Sequence, residues 1–227
     1  LAVTVLTSFD ADDVAELGWS GPVDELVSLR ALKAVAAGID GLMDSILKAD
    51  GGLHVLVNNA GRSIRRSVEA SYDRFHDFER TMQLNYFGAL RLIMGFLPKM
   101  IEQRQGHIIN ISSIGVLSNA PRFAAYVASK SALDSFSACA ASEFVDKGIN
   151  FTTINMPLVR TPMIAPTKMY DSVPTLSPEE AADLIVKAII DRPSRVATRL
   201  GVFAGVVHAV FPKAYEVVMS TAFELFP

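Results

Sequence analysis

Three short apolar runs, each ending abruptly in polar, glycine or proline residues, set the pattern of this chain. Leu53-His54-Val55-Leu56-Val57 runs into Asn58-Asn59-Ala60-Gly61, His107-Ile108-Ile109-Asn110-Ile111 into Ser112-Ser113, and Phe151-Thr152-Thr153-Ile154-Asn155 into Met156-Pro157. Segments of helical periodicity lie between them, and that alternation predicts an α/β fold, a doubly wound parallel sheet with helices on both faces. In such sheets ligands bind beyond the C-terminal ends of the strands, where all three runs turn polar.

The helical segments differ in character. Tyr72 to Arg104 carries Phe75, Phe78, Met82, Phe87, Leu90 and Met94 near the spacing of one apolar stripe, with Pro98 expected to kink the helix or start a new turn. Pro121 to Lys147 forms the next, in which Ala124, Ala125, Ala128, Ser131, Ala132, Ser135 and Ala138 make a small-residue surface. A second helix can approach such a surface closely, so a subunit contact and tight packing on its own sheet both remain open. Ser177-Pro178-Glu179-Glu180 reads as a helix start, with Ser177 as N-cap and the helix running to about Asp191. Nearer the N-terminus, Leu1 to Leu6 reads as a strand, and Asp24 to Ala37 and Ile39 to Leu47 as helices. Gly18, Gly21, Gly38 and Gly41 make no phosphate-binding fingerprint.

The bulk composition narrows the function. Half of the 227 residues are apolar and a fifth are charged, which suits a globular chain with one substantial core. A net charge of −3 gives no electrostatic reason to expect nucleic acid. The one cysteine, Cys139, excludes an intrachain disulfide, suits a reducing compartment and is expected to be a buried structural thiol. His54, His76, His107 and His208 show no paired ligand spacing, so no metal is expected. No secretory signal is visible, and the longest apolar run, Leu200 to Phe211, is shorter than a bilayer span. A cytoplasmic protein is expected, attached at most to a membrane surface. The chain begins at leucine, and a fragment or a partial sequence is expected.

Candidate chemistry centres on Tyr126-Val127-Ala128-Ser129-Lys130. Residues four apart share a helix face, so the Lys130 ammonium is expected beneath the Tyr126 phenol, lowering a pKa that is ordinarily near 10. That makes Tyr126 a candidate general acid–base.

With Asn58-Asn59-Ala60-Gly61, Asn85, Ser113, Tyr126-x-x-x-Lys130 and Val159-Arg160-Thr161 in order, the chain from about Asp40 onward resembles the short-chain dehydrogenase/reductase family. The resemblance implies a Rossmann-like sheet that binds NAD(H) or NADP(H) and moves a hydride between nicotinamide and a carbonyl carbon. It implies Asn85, Ser113, Tyr126 and Lys130 as catalytic: Tyr126 as proton donor, Ser113 on the same carbonyl oxygen, and Asn85 fixing a water that relays protons to Lys130. It implies Asn58, Ala60, Gly61, Tyr126, Lys130, Val159 and Thr161 as cofactor-binding. Two features depart from the family pattern. Met156-Pro157 replaces the usual Pro-Gly, and no Thr-Gly-x-x-x-Gly-x-Gly phosphate loop occurs in the sequence. Residues 1–37 are therefore unassigned, as a remnant of an upstream domain or an incomplete cofactor-binding half, and residues 38–227 form the reductase domain.

Within the family, Asn59 to Ser67, Met156 to Thr167 and Arg192 to Gly201 look like those of bacterial fatty acyl-CoA reductases. That implies an acyl-CoA or other lipophilic carbonyl substrate and NADP(H) in preference to NAD(H). Arg62, Arg65 and Arg66 then stand either as substrate contacts to phosphates of coenzyme A or as a solvated basic helix start. The apolar segment Gly201 to Phe226 admits three readings: wall of an acyl tunnel, peripheral membrane contact, or completion of the core. A homo-oligomer is expected. Reduction of another lipophilic ketone or aldehyde, and a noncatalytic partner domain without a phosphate loop, are the alternatives to thioester reduction.

Overall fold

A computed structural model describes residues 2–4, 43, 46–48, 52–161, 164, 170 and 173–225. Five strands, β1 (Ala2–Thr4), β2 (Val55–Asn58), β3 (Gly106–Ser113), β4 (Ile149–Met156) and β5 (Arg195–Ala197), pair in that order in one sheet, every neighbour parallel. The three predicted apolar runs are β2, β3 and β4, and the predicted N-terminal strand is present as β1. The expected helix over Asp24 to Ala37 and the boundary at residue 37 lie outside the described residues, as does most of Ile39 to Leu47.

The strands are apolar on both faces because both are covered. Leu56, Ile108 and Phe151 pack with helix α2 (Ala89–Glu102) and helix α4 (Ala124–Phe144) in one core. Val57, Ile109, Ile111, Ile154 and Met156 pack with helix α5 (Pro178–Asp191) in another. This is the expected doubly wound arrangement. Helix α5 begins as predicted: Ser177 Oγ accepts from Glu180 N at 3.1 Å, and the Glu180 carboxylate accepts from Ser177 N at 2.7 Å.

Helix α1 (Phe75–Met82) continues through a π-helical turn (Gln83–Gly88) into α2, and α2 runs through Pro98 without ending. The apolar stripe expected here is not the buried one. Phe75, Phe87 and Met94 are exposed, whereas Asp77, Thr81, Asn85, Gly88, Leu92, Ile93 and Phe96 face inward. Buried polar groups hold the first part of this helix to the body, so apolarity alone misassigned its inner face. Cys139 also departs from expectation: it is exposed on α4. The buried face of α4 is Ala125, Ser129, Lys130, Leu133, Asp134, Ser137 and Ala140, while Ala128, Ser135 and Ala138 point outward.

The short helix α3 (Ile114–Ser118) follows β3 directly, and two C-terminal helices, α6 (Arg199–Val210) and α7 (Pro212–Leu225), return to cover it. Gly201 permits this contact, since a β-carbon there would stand 2.9 Å from Ile114 Cγ1. The Tyr215 hydroxyl donates to Ser118 O at 2.6 Å.

Candidate active site

The C-terminal ends of β2 and β3 and the first turns of α4 bring Asn58, Gly61, Asn85, Ser113, Tyr126 and Lys130 into one region. Ser113 is the N-cap of α3, its Oγ accepting from Gly115 N at 3.1 Å, and it also hydrogen-bonds the Tyr126 phenol. Burial pushes the Tyr126 phenol above its ordinary value, the Ser113 hydrogen bond pulls it back, and the nearby Tyr170 raises it again. The expected net lowering by Lys130 is therefore not what this geometry gives. The Lys130 ammonium instead donates to Ile111 O at 2.6 Å.

Lys130 itself is buried, and loss of water brings its pKa down to about 8, against the opposing charge of Asp134. Its place depends on Gly61: a β-carbon there would stand 3.1 Å from Lys130 Nζ and 3.5 Å from Asn85 Oδ1. Asn85, buried in the π-helical turn, is committed on both ends of its amide. Oδ1 accepts from Arg62 N at 2.8 Å, and Nδ2 donates to Arg62 O at 2.9 Å and Ser129 Oγ at 2.9 Å. Asn85 thus staples the loop after β2 to the helix that carries Tyr126 and Lys130. The sequence implied a water-holding role for this residue; its protein partners are backbone and Ser129.

Asn58 Nδ2 donates to Asn110 Oδ1 at 2.7 Å, and Asn110 Nδ2 to Ser137 Oγ at 2.7 Å, a buried polar spine across β2, β3 and α4. Ala60 lies in the loop between Asn58 and Gly61. Val159 pairs with Leu176 beyond the end of β4, and Thr161 follows it, its carbonyl accepting from Ile164 N at 3.1 Å. Both stand past the same sheet edge as Ser113.

The three arginines separate. Arg62 is held by its backbone to Asn85. Arg65 lies near enough to Tyr170 for its charge to work against the burial that raises that phenol. Arg66 donates from Nε to the buried Asp77 at 3.2 Å, and its backbone N donates to Arg122 O at 2.6 Å. Burial works to raise the Asp77 carboxyl, but hydrogen bonds and charge from Arg80 and Arg74 hold it below its usual value.

A buried carboxylate not singled out by the motif stands behind Lys130. Asp134 lies one helical turn beyond Lys130 on the same buried face. Its Oδ2 receives Arg195 Nη1 at 3.1 Å and Asn155 Nδ2 at 3.3 Å, while Oδ1 is buried without a partner among the described residues. Asn155 Nδ2 also reaches Ser113 O at 3.2 Å, and Asn155 Oδ1 accepts from Arg195 at 2.5 Å. One network therefore touches both the backbone of Ser113 and the carboxylate that faces Lys130. The spacing that singled out Lys130 from Tyr126, taken one turn further, is the signal that points to Asp134. Among the described residues no cluster of His, Cys, Asp and Glu is arranged to hold a metal ion.

Residues 26–170 match the family model described as short chain dehydrogenase. A protein of Acinetobacter baylyi named "Fatty acyl-CoA reductase" is 61% identical over 189 residues, covering 83% of this chain and 64% of its own length. A short-chain dehydrogenase from Streptomyces avermitilis superposes with a TM-score of 0.66 at 25% identity, over 82% of this chain and 76% of that one. A 3-ketoacyl-(acyl-carrier-protein) reductase from Brucella melitensis, solved with NADH, gives 0.61 at 25% identity, over 67% and 66% of the two chains. The chain spans less than two thirds of the length of the curated relatives it matches. With Ser113 at the C-terminal edge of a parallel sheet, Tyr126 and Lys130 on the helix beside it, and a family match over residues 26–170, this chain belongs to the short-chain dehydrogenase family.

Proposed function

We propose that this protein is an NAD(P)H-dependent oxidoreductase that reduces a fatty acyl-CoA thioester to a fatty aldehyde. The observation that carries the reading is the Ser113–Tyr126 hydrogen bond beside a buried Lys130, in a chain 61% identical to a protein named for that activity. The residues present fit the nicotinamide-ribose half of such a cofactor. Of the three donors on the Lys130 ammonium, one goes to Ile111 O, and on the adenosine side Asn58 Oδ1 is a buried acceptor without a partner among the described residues. Tyr126, Lys130, Val159 and Thr161 would hold it, with Asn58, Ala60 and Gly61 at the adenosine side.

The reduced nicotinamide supplies the hydride to the carbonyl carbon. Tyr126 Oη gives its proton to the carbonyl oxygen, and burial, which keeps the phenol protonated, suits that role. Ser113 Oγ donates to the same oxygen as charge develops on it. The Lys130 cation stabilises the phenolate left behind. The resulting hemithioacetal breaks its carbon–sulfur bond to give the aldehyde and the coenzyme A thiol. NADP(H) in preference to NAD(H) rests on the resemblance to bacterial fatty acyl-CoA reductases. The domain carrying these residues is taken as 38–227.

Following oxidation of NADPH and NADH with palmitoyl-CoA, a fatty aldehyde and a small ketone tests the reading. Turnover of palmitoyl-CoA with NADPH is expected. Turnover of the ketone or aldehyde alone would shift the reading to another lipophilic carbonyl, and no turnover with any of them to a noncatalytic domain.

Two association surfaces belong to the same proposal. The outward small-residue face of α4 and the exposed Phe75, Phe87 and Met94 support a homo-oligomer, to be measured by light scattering on the eluting protein. The exposed Leu200, Phe203, Phe211 and Val217 of α6 and α7 support peripheral membrane contact, to be measured by co-sedimentation with vesicles. None of the described helices is long and apolar enough to cross a membrane.

A further inference from the structure

Around the loop before α4 the molecule holds a cavity of about 410 Å³, within the size range of small-molecule sites. Its lining is mainly apolar and includes Val68, Ala120, Pro121, Ala124, Val127 and Phe223. Three separate parts of the chain contribute: Ser67, Val68 and Glu69 at the start of the 3₁₀ turn Glu69–Ser71, the loop and first turn of α4, and the end of α7.

The cavity adjoins the reacting centre through Gly115. A β-carbon at Gly115 would stand 3.3 Å from Ser113 Oγ and 3.6 Å from Val127 Cγ2, so the wall residue Val127 and the catalytic hydroxyl are separated only by a residue without a side chain. Arg122 and Asn119 at the cavity are engaged elsewhere. The Arg122 guanidinium lies 4.2 Å from the centroid of the Phe223 ring and donates to Phe223 O at 3.2 Å, and Asn119 Nδ2 lies 3.4 Å from His208 Nδ1. Apart from the solvent-exposed carboxylate of Glu69 at its edge, what remains facing the space is mainly apolar.

The walls are also fixed in advance. Asn119 and Arg122 both hold left-handed backbone angles, φ 45° and 68°, which residues with side chains adopt at a cost. Arg122 is kept there from two sides, by the Arg66 N hydrogen bond to its carbonyl and by the contact of its side chain with Phe223. A preformed apolar space binds a flexible chain without the further cost of ordering the protein.

We propose that this cavity seats the alkyl chain of the carbonyl substrate, with the Arg122–Phe223 contact as its outer wall, so that the C-terminal helix α7 sets chain-length preference. The proposal rests on the lipophilic-carbonyl reading above and names where its chain goes. Helix α7 thereby acquires a place in the site, rather than serving only as a cover for α3.

Two variants test it, Ala124→Leu, which fills the space, and Phe223→Ala, which removes the wall. Initial rates with hexadecanoyl-CoA and butanoyl-CoA are compared, alongside equilibrium binding of a fluorescent polyene fatty acid. Each methylene kept out is expected to raise KM about fourfold. Either variant should therefore raise KM for hexadecanoyl-CoA at least about tenfold and weaken fatty-acid binding to match, while KM for butanoyl-CoA stays within about twofold. The unchanged short-chain rate doubles as the check that the variant is folded. If wild-type protein turns over no thioester but both variants still weaken fatty-acid binding, the chain site stands and the thioester reading falls. If wild-type protein turns over thioesters and both variants leave the chain-length profile and fatty-acid binding unchanged, the chain site is overturned. Equal loss for long and short substrates, with fatty-acid binding unaffected, overturns it as well.

Discussion

Replacing Asp134 by asparagine removes the carboxylate that faces Lys130 while keeping the volume of the side chain and an oxygen for Arg195. Lys130 needs its proton to stabilise the phenolate of Tyr126, and burial has already brought its pKa down to about 8 against the pull of Asp134. Residues four apart on a helix have β-carbons about 5–6 Å apart. Two unit charges about 6 Å apart at an effective dielectric of about 20 interact by roughly 2.8 kcal/mol. Arg195 sits 3.1 Å from the same carboxylate and cancels part of this. Taking half as the remainder leaves about 1.4 kcal/mol, or about one pH unit. In kcat/KM, which reports the free enzyme, wild-type activity should fall as pH rises through about 8, and Asp134→Asn should move that fall about one unit lower. Arg195→Met should move it the other way, because an unshared Asp134 holds the Lys130 proton more firmly. A purely structural role would lower activity at every pH and leave the position of the limb alone. An unmoved limb in Asp134→Asn, or the same direction of movement in both variants, would refute the electrostatic coupling.

Tyr126→Phe should lower turnover by about 10²–10⁴ or more, the usual span of a general acid, with an unchanged circular dichroism spectrum; retained turnover would remove Tyr126 as proton donor. Arg65→Ala should raise KM for an acyl-CoA at low salt and lose that effect at high salt, and an unchanged KM at low salt would take Arg65 out of coenzyme A binding. Arg66→Ala, by contrast, should lower stability by about 1 kcal/mol through its hydrogen bond to Asp77, read as a shifted midpoint in urea. His107 is buried on β3 with Nε2 2.8 Å from Thr152 Oγ1, and burial pushes its pKa down to about 4 from 6.5. Between those values the unfolded chain binds more protons than the folded one, so stability present above pH 6.5 is lost as pH falls toward about 4. Allowing for incomplete enclosure, the loss is roughly 2–3 kcal/mol. His107→Gln should flatten that part of the melting-temperature profile, and an equally steep profile in the variant would place the titrating group elsewhere.

The strands were legible because β2, β3 and β4 are apolar runs with polar ends, a pattern that survives burial on both faces. The inner face of the α1–α2 helix was not. Its first half turns Asp77, Thr81 and Asn85 inward, where arginines, a helix carbonyl and the loop after β2 satisfy them. The π-helical turn over Gln83–Gly88 then changes the phase, so that no single 3.6-residue stripe describes the buried side. The exposed Phe75 and Met94 on the opposite side made the misreading natural, since apolar residues at regular spacing usually point inward.

The active site divides along a similar line. Tyr126 and Lys130 are four residues apart, so their shared face is local information. What each side chain does there is decided by groups distant in sequence: Ile111 O, which takes the Lys130 ammonium, Ser113, which bonds the phenol, and Arg195, which competes for Asp134. Local spacing therefore predicted a cation lowering the phenol's pKa, whereas enclosure by the rest of the fold raises it. The two facts are compatible in one mechanism. A phenol kept protonated by burial is a reservoir for the proton, and a lysine poised near pH 8 with a buried carboxylate behind it supplies positive charge when that proton leaves. On this account the charge balance of the site is set on β5, by Arg195, as much as by the Tyr126-x-x-x-Lys130 motif itself.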